Sequence, residues 1–522
     1  MSGEWAEVAL ARAFSVALVG VTGHLVEVEA DIADGLPATI LVGLPDTALR
    51  EARDRIRAAI VNSGESWPSA KITVGLSPAS LPKRGSGFDL AIAVAILAAD
   101  ESLPLTAPAG KMFLAELGLD GRLRPVPGVL PAVVAAETGL DTVVVSAENL
   151  AEAALVPGVH VVGASTLAEV IIWLRGGPPP TVPPAPEPMA DGPVPAALAV
   201  ARKLDLSEVL GQAEARMAVE ICAAGGHHLS LLGPPGAGKT MLAERLPTIL
   251  PKLEGAAAIE VTSIHSVAGE LRAGAGLMTM PPFCAPHHTS SKAAIVGGGS
   301  GLIRPGAASL AHRGILFLDE APEFSRDVLD ALRQPLESGE VAIARASAHA
   351  RFPARFTLVL AANPCPCARA ATAGGSGCRC SPAARRRYLA RLSGPLMDRV
   401  DVKVVLQPVS RRDMLYDRRF AESSAVVAER VAAARERSAA RLAGTPWRLN
   451  AEIPGARLRR GFPPEPASMK PLERVMELGQ VSARGADKII RVAWSLADLA
   501  GKDRPGTDEV GLAIGLWLGV AQ

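Results

Sequence analysis

Residues 233–240 read Gly-Pro-Pro-Gly-Ala-Gly-Lys-Thr. The apolar run Leu229–Leu232 enters this octet, and Met241, Leu242, Leu246, Ile249 and Leu250 leave it with helical periodicity. An apolar stretch of strand length, a loop of small residues and a periodic helix form the setting of a phosphate-binding loop. Gly233, Pro234, Pro235, Gly236, Ala237 and Gly238 lack bulk, so successive N–H groups can curl around a phosphate at a helix N-terminus. Lys239 can then reach the β- and γ-phosphates, and the Thr240 hydroxyl can ligate Mg²⁺. The expected ligands are a nucleoside triphosphate and Mg²⁺.

Downstream, Ile315-Leu316-Phe317-Leu318 reads as a buried strand that ends in Asp319-Glu320. An acidic pair at that end suits a magnesium ligand, assigned to Asp319, and a group that activates water, assigned to Glu320. A third strand, Phe356–Ala362, ends in Asn363, whose polar tip would touch the γ-phosphate or the attacking water. Binding alone needs none of these groups, so hydrolysis is expected.

The 522 residues exceed one core, and two or three domains are expected. Net charge is +1, so an attraction to nucleic acid must be local. No stretch approaches the ~20 apolar residues of a membrane helix, no export signal is recognised, and six cysteines with four bunched do not form a secreted framework. A cytoplasmic protein without a membrane partner is expected.

Nine prolines between Pro178 and Pro195 mark a semi-stiff linker, assigned to residues 176–199. Residues 1–175 mix short strands (Leu25–Ala30, Ala38–Val42, Lys71–Leu76, Thr142–Val145) with helices, which predicts an α/β domain. Residues 200–408 alternate strand and helix, which predicts a parallel sheet covered by helices. Residues 409–522 carry charged helices and no strand candidates, as in a helical lid.

Further segments add specificity: Pro286-His287-His288-Thr289, Gly297-Gly298-Gly299-Ser300, Arg304-Pro305-Gly306, Ser309-Leu310-Ala311-His312, Asn363-Pro364-Cys365-Pro366-Cys367, and Ser393-Gly394-Pro395-Leu396-Met397-Asp398-Arg399. With them the chain resembles the magnesium-chelatase-related AAA+ ATPases of the YifB/ComM type over nearly its whole length. That resemblance implies a homohexameric ring ATPase and, for the ComM branch, a DNA helicase that migrates branched recombination intermediates during transformation. It implies that Gly211-Gln212 borders the adenine, that Asn363 is the first sensor, and that Arg399 is a finger completing the neighbour's site. It also implies that Arg484 is the lid's second sensor, with Arg491 competing for the role.

From Val341 to Met397 there is no Asp or Glu, while arginines occur at 345, 351, 355, 369, 379, 385, 386, 387 and 391. Glu340–Phe356 reads as a strand pair, and in the resembled family this position holds a hairpin facing the ring pore. Arg345, His349 and Arg351 at its tip, together with Arg355 of the same hairpin, could track the backbone of single-stranded or branched DNA without sequence preference. Aromatics make up 3% of the chain, so electrostatics rather than stacking must supply the affinity. The insertion His265–Ala311 carries His287-His288, read as structural or substrate-contacting rather than metal-binding.

Cys365, Cys367, Cys378 and Cys380 make a four-thiolate set that zinc would take tetrahedrally, with free or redox-active thiols as the alternative. The first domain resembles the Lon-protease fold. There the nucleophile position falls on Gly87 and the lysine position on Leu130, which predicts no proteolysis, although Ser86 and Lys83 lie nearby. The leading expectation is an ATP-driven DNA motor. The rivals are a chelatase-like motor acting on porphyrin, for which no Asp-x-Ser-x-Ser segment is present, and a protein-remodelling ATPase.

Overall fold

A computed structural model of the chain describes residues 10–43, 46–83, 85–136, 139–181, 204–271, 274–299, 303–345, 348–367, 378 and 380–519. Most of the proline-rich linker and both Arg369 and Arg379 therefore lie outside the described residues.

The first unit is built on a seven-stranded mixed sheet. Its strands are β1 (Ala11–Val19), β2 (Thr22–Ala33), β3 (Ala38–Val42), β4 (Lys71–Ser77), β5 (Lys111–Leu114), β8 (Thr142–Ser146) and β9 (His160–Ala164), in the order β3-β4-β2-β1-β5-β8-β9. A short ladder, β6 (Glu116–Leu117) with β7 (Leu123–Arg124), stands apart from it. Strands β1, β5 and β9 were not among the sequence candidates, because alanine and serine dilute the apolar alternation of β1. Asp89–Ala99 is buried on all sides, from Leu90 to Ala98. A helix with no polar face suits the centre of a core and nowhere else.

The second unit is a five-stranded parallel sheet of β10 (Leu229–Leu232), β11 (Phe283–Cys284), β12 (Ile315–Leu318), β15 (Thr357–Ala362) and β16 (Val402–Val405). The order is β11-β12-β15-β10-β16, so the strand entering the phosphate loop lies beside the strand that ends before Asn363. β12 is apolar throughout and β15 is apolar from Leu358 to Ala362, as burial of both faces demands.

From Ser410 onward the described residues are helices and turns: Arg411–Asp417, Ser424–Arg441, Gly455–Gly461, Met469–Glu477, Ala483–Leu499 and Thr507–Leu518. These helices do not form a detached core. Leu229 and Phe317 of the sheet, Ala218 and Cys222 of helix Ala213–Gly225, and Trp494 and Trp517 of the C-terminal helices belong to one apolar cluster.

The antiparallel pair β13 (Glu340–Arg345) and β14 (Ala348–Pro353) projects from the second unit. It touches the first unit at the β1–β2 turn, where Gly20 has φ +66° and an added Cβ would lie 2.2 Å from the Arg351 carbonyl oxygen. Ala350 and Phe352 pack there with Val267, Leu18 and Val21. Gly128 N–H also donates to the Ser266 carbonyl at 3.1 Å.

Candidate active site

The loop after β10 turns on Gly236 and Gly238, both in the left-handed region (φ +78° and +91°) with open space where a Cβ would stand. Gly238 caps the helix Lys239–Arg245, so the helix begins at the residue that the sequence expects to meet phosphate. Gly233 is fixed from behind: its N–H donates to the Ala362 carbonyl at 3.1 Å, and a Cβ there would meet Leu406. The Lys239 ammonium is nearly enclosed. It donates to the carbonyls of Gly233 (2.7 Å) and Pro234 (3.0 Å) and to Asn363 Oδ1 (3.0 Å). Burial lowers its pKa, with Asp319 and Glu320 opposing the shift. All three donors are spent on the loop and on Asn363, so an arriving phosphate would replace a carbonyl as their acceptor.

Asp319 and Glu320 follow β12 directly. Thr240 Oγ1 donates to Asp319 Oδ2 at 3.0 Å, so an alcohol and a carboxylate oxygen are adjacent, a pairing a hard cation accepts. Asp319 Oδ1 accepts the Glu320 N–H at 2.9 Å. Glu320 sits at φ +49°, ψ +42°, a region a branched or bulky residue rarely holds unless its surroundings impose it. Its carboxylate lies 3.4 Å from His288 Nδ1, and the His288 ring lies 4.1 Å from that of His287, centroid to centroid. Nothing in the sequence around His288 names Glu320 as its neighbour; the insertion folds back to bring them together.

Three families of sequence model match the chain: magnesium chelatase, subunit ChlI, over residues 205–414; subunit ChlI of Mg-chelatase over 28–149; and magnesium chelatase, subunit ChlI C-terminal, over 421–516. The competence protein ComM of Haemophilus influenzae is 42% identical over 95% of both chains. YifB of Escherichia coli K12 is 40% identical over 93% of both. An uncharacterized protein of Mycobacterium tuberculosis H37Rv is 53% identical over 97% of this chain and 98% of its own. The chain belongs to the YifB/ComM-type magnesium-chelatase-related family. It is thus a ChlI-type AAA+ ATPase-family protein.

The remaining expected residues of this YifB/ComM-type chain surround the site unevenly. Gly211 (φ +72°) donates its N–H to Asp417 Oδ2 at 2.6 Å, and a Cβ there would collide with Val409. Gln212 is buried and donates to the carbonyls of Ala237 (3.0 Å) and Gln407 (2.8 Å), which ties the segment to the phosphate loop. Asp417, on the first helix after the sheet, also pairs with Arg216 at 2.7 Å, a link that local sequence could not reveal.

Arg399 is ion-paired with Glu337 and donates to the Pro395 carbonyl, so within its own chain its guanidinium is already engaged. Arg484 and Arg491 part ways. Arg491 donates to the Ile453 carbonyl at 2.8 Å, and burial lowers its pKa. Arg484 is exposed on the first turn of Ala483–Leu499, with no hydrogen bond or ion pair among the described residues.

The hairpin differs from its expected arrangement. Arg345 pairs through its backbone with Ala348 next to the turn, but Arg351 lies further back opposite Ala342, and Arg355 falls beyond β14 altogether. Alternation along β14 sets His349 and Arg351 on the exposed face and Ala350 and Phe352 on the buried one. Arg355 stands at the base, its N–H donating to His312 Nδ1 at 3.0 Å. Acids from outside the acid-free segment partly offset its charge: Arg391 pairs with Glu323 at 3.0 Å, and Arg351 lies 3.7 Å from Glu340. Arg385, Arg386 and Arg387 are exposed on helix Pro382–Leu389.

In the first unit, Lys83 is buried, with its ammonium donating to the carbonyls of Pro78 (2.5 Å) and Leu81 (3.3 Å). Ser86 Oγ instead donates to Glu116. Leu130 is wholly buried, and its N–H donates to Glu152 at 3.0 Å. Among the described residues no serine–lysine pair forms here. Ser86 lines an apolar cavity of about 260 Å³ that extends to Val267 and Ala350 of the second unit.

Proposed function

We propose that this chain is a hexameric ATP-hydrolysing motor that binds DNA and drives branch migration or unwinding of recombination intermediates. The observation that carries the hydrolytic part is the convergence of Lys239, Asn363, Thr240 and Asp319 at one end of a parallel sheet, with Glu320 alongside. In this reading Lys239 and the loop N–H groups hold the phosphates, and Thr240 with Asp319 holds Mg²⁺. The ion supplies neutralisation of charge building on the phosphates. Glu320 accepts a proton from the attacking water, Asn363 orients that water or the γ-phosphate, and Gly211 and Gln212 border the base.

Arg399 would act on a neighbouring protomer, which requires that it exchange Glu337 for the neighbour's nucleotide. Arg484, unpartnered among the described residues, is the better lid sensor than Arg491, whose guanidinium already has an acceptor. A DNA substrate is favoured by the exposed His349 and Arg351 and by exposed Arg385–Arg387, on a segment without its own acids. Identity to a protein named for competence points the same way.

The test is the ATPase rate at fixed low salt with and without single-stranded or branched DNA. Stimulation that disappears when Arg345 and Arg351 are neutralised supports the reading. No stimulation and no retardation of DNA would leave a protein-remodelling or chelatase-like motor. Absence of any proteolysis of unfolded substrates is expected, because Lys83 and Ser86 are committed to other partners.

A further inference from the structure

The four thiols after the Asn363 strand converge from two directions. All four Sγ atoms lie within 4.8 Å of one another. Cys365 Sγ is 3.2 Å from Cys367 and 3.3 Å from Cys378, and Cys367 is 3.5 Å from Cys378. Four sulfurs at about 2.3 Å from a central zinc would be separated by about 3.8 Å along each tetrahedral edge. A disulfide would draw one pair to about 2.05 Å, whereas Cys365 is nearly equidistant from two partners. The observed separations are a few tenths of an ångström shorter than that edge and far longer than a disulfide, so they point to a common centre and single out no bridge.

The surroundings fit the charge such a centre would carry. Four thiolates around a divalent ion leave two negative charges. No Asp or Glu occurs between Val341 and Met397 to repel them, and Arg385 Nη2 lies 3.5 Å from Cys378 Sγ as a donor. Cys380 immediately precedes Ser381, the N-cap of the eight-residue helix Pro382–Leu389, so the positive end of that helix faces the cluster.

We propose that Cys365, Cys367, Cys378 and Cys380 hold one structural zinc ion that staples the end of β15 to the start of the arginine-bearing helix. Cys365 is two residues past Asn363, which accepts from Lys239, so the staple fixes the backbone on which that contact depends. The same ion sets the origin of the helix that displays Arg385–Arg387. The inference is independent of what polymer the chain acts on.

The test is the metal content of the full chain purified in reducing buffer without chelators. One zinc per chain is expected, falling by roughly tenfold or more in Cys365→Ser with Cys378→Ser, and unchanged in Cys222→Ser and Cys284→Ser. Should the double variant fail to fold, cobalt(II) exchanged into the unaltered chain decides the matter, through the intense visible bands of a tetrahedral tetrathiolate ion. Four freely alkylated thiols with neither zinc nor cobalt uptake would overturn the proposal. So would mapped disulfides within the set, or iron in place of zinc.

Discussion

Lys488, on the helix Ala483–Leu499, donates to Asp401 Oδ1 at 2.6 Å. The same ammonium donates to the carbonyl of Arg399 at 2.7 Å, and the other oxygen of Asp401 accepts the His228 N–H at 2.8 Å. Burial disfavours the charge on Asp401, but Lys488 and the neighbouring histidines outweigh it and hold the carboxyl well below the usual carboxylate range. Lys488 is one helical turn beyond Arg484. The lid helix thus grips the backbone of the proposed finger residue of its own chain.

Replacing Lys488 by Met leaves a buried carboxylate without its partner, which costs about 3–5 kcal/mol. A lower melting temperature is expected, with an ATPase rate reduced more than ATP affinity. Adding Asp401→Asn to the same chain should recover much of the stability, because the two residues act as one unit. Additive losses in a double-mutant cycle monitored by thermal melting would show that the pair is not coupled.

Glu320→Gln and Arg399→Ala are each expected to lower the ATPase rate severely, Arg399→Ala by roughly 10³–10⁵ if it serves as a finger. Mixing the two inactive proteins should restore part of the activity. Interfaces then arise in which one protomer supplies Glu320 and its neighbour supplies Arg399. Mixtures as inactive as their components would place both groups in one protomer's site.

Acid should loosen the junction between sheet and lid. His227 is fully buried against Ser495, and burial pushes its pKa down to about 4 from the ordinary 6.5. Between those values the unfolded chain binds a proton that the folded chain does not, so stability falls as pH drops from about 6.5 toward 4. Over the whole window the share of His227 is about 3 kcal/mol, and His228, whose pKa burial also pushes down to about 4, adds to it. Chemical denaturation at several pH values checks this, and His227→Gln should reduce the slope without abolishing it, since His228 still titrates in the same window.

The logarithm of DNA affinity should fall linearly with the logarithm of salt concentration, and Arg351→Ala should reduce that slope by about one. Arg355→Ala, altering a residue at the base of the hairpin, should leave the slope closer to its original value. Fluorescence anisotropy with unrelated single-stranded sequences measures both, and equal slopes for the two variants would count against the exposed hairpin face as the contact.

The convergence of the candidate nucleotide-site residues was legible because they sit at strand ends that composition marks on its own: Leu229–Leu232 before the glycines, Ile315–Leu318 before Asp319, and Thr357–Ala362 before Asn363. Contacts made by the fold alone were not. His288 reaches Glu320 across an insertion, and Asp417 reaches Gly211 over some two hundred positions. The hairpin was visible as alternating residues, yet its facing was not, since one apolar side could have met any neighbour. Gly20 explains the outcome only in retrospect, once the Arg351 carbonyl is seen resting where its side chain would be. β1 escaped notice because alanine, small enough for a crowded sheet, carries little hydrophobic signal.

That seat has a mechanical corollary. A hairpin whose back is fastened to Leu18 and Val21 is no free lever. If the hairpin moves as the proposed motor requires, it must either carry the amino-terminal sheet with it or peel Phe352 from its berth on each turnover. In the proposed motor the first unit would then serve as the anchor that holds the hairpin's back.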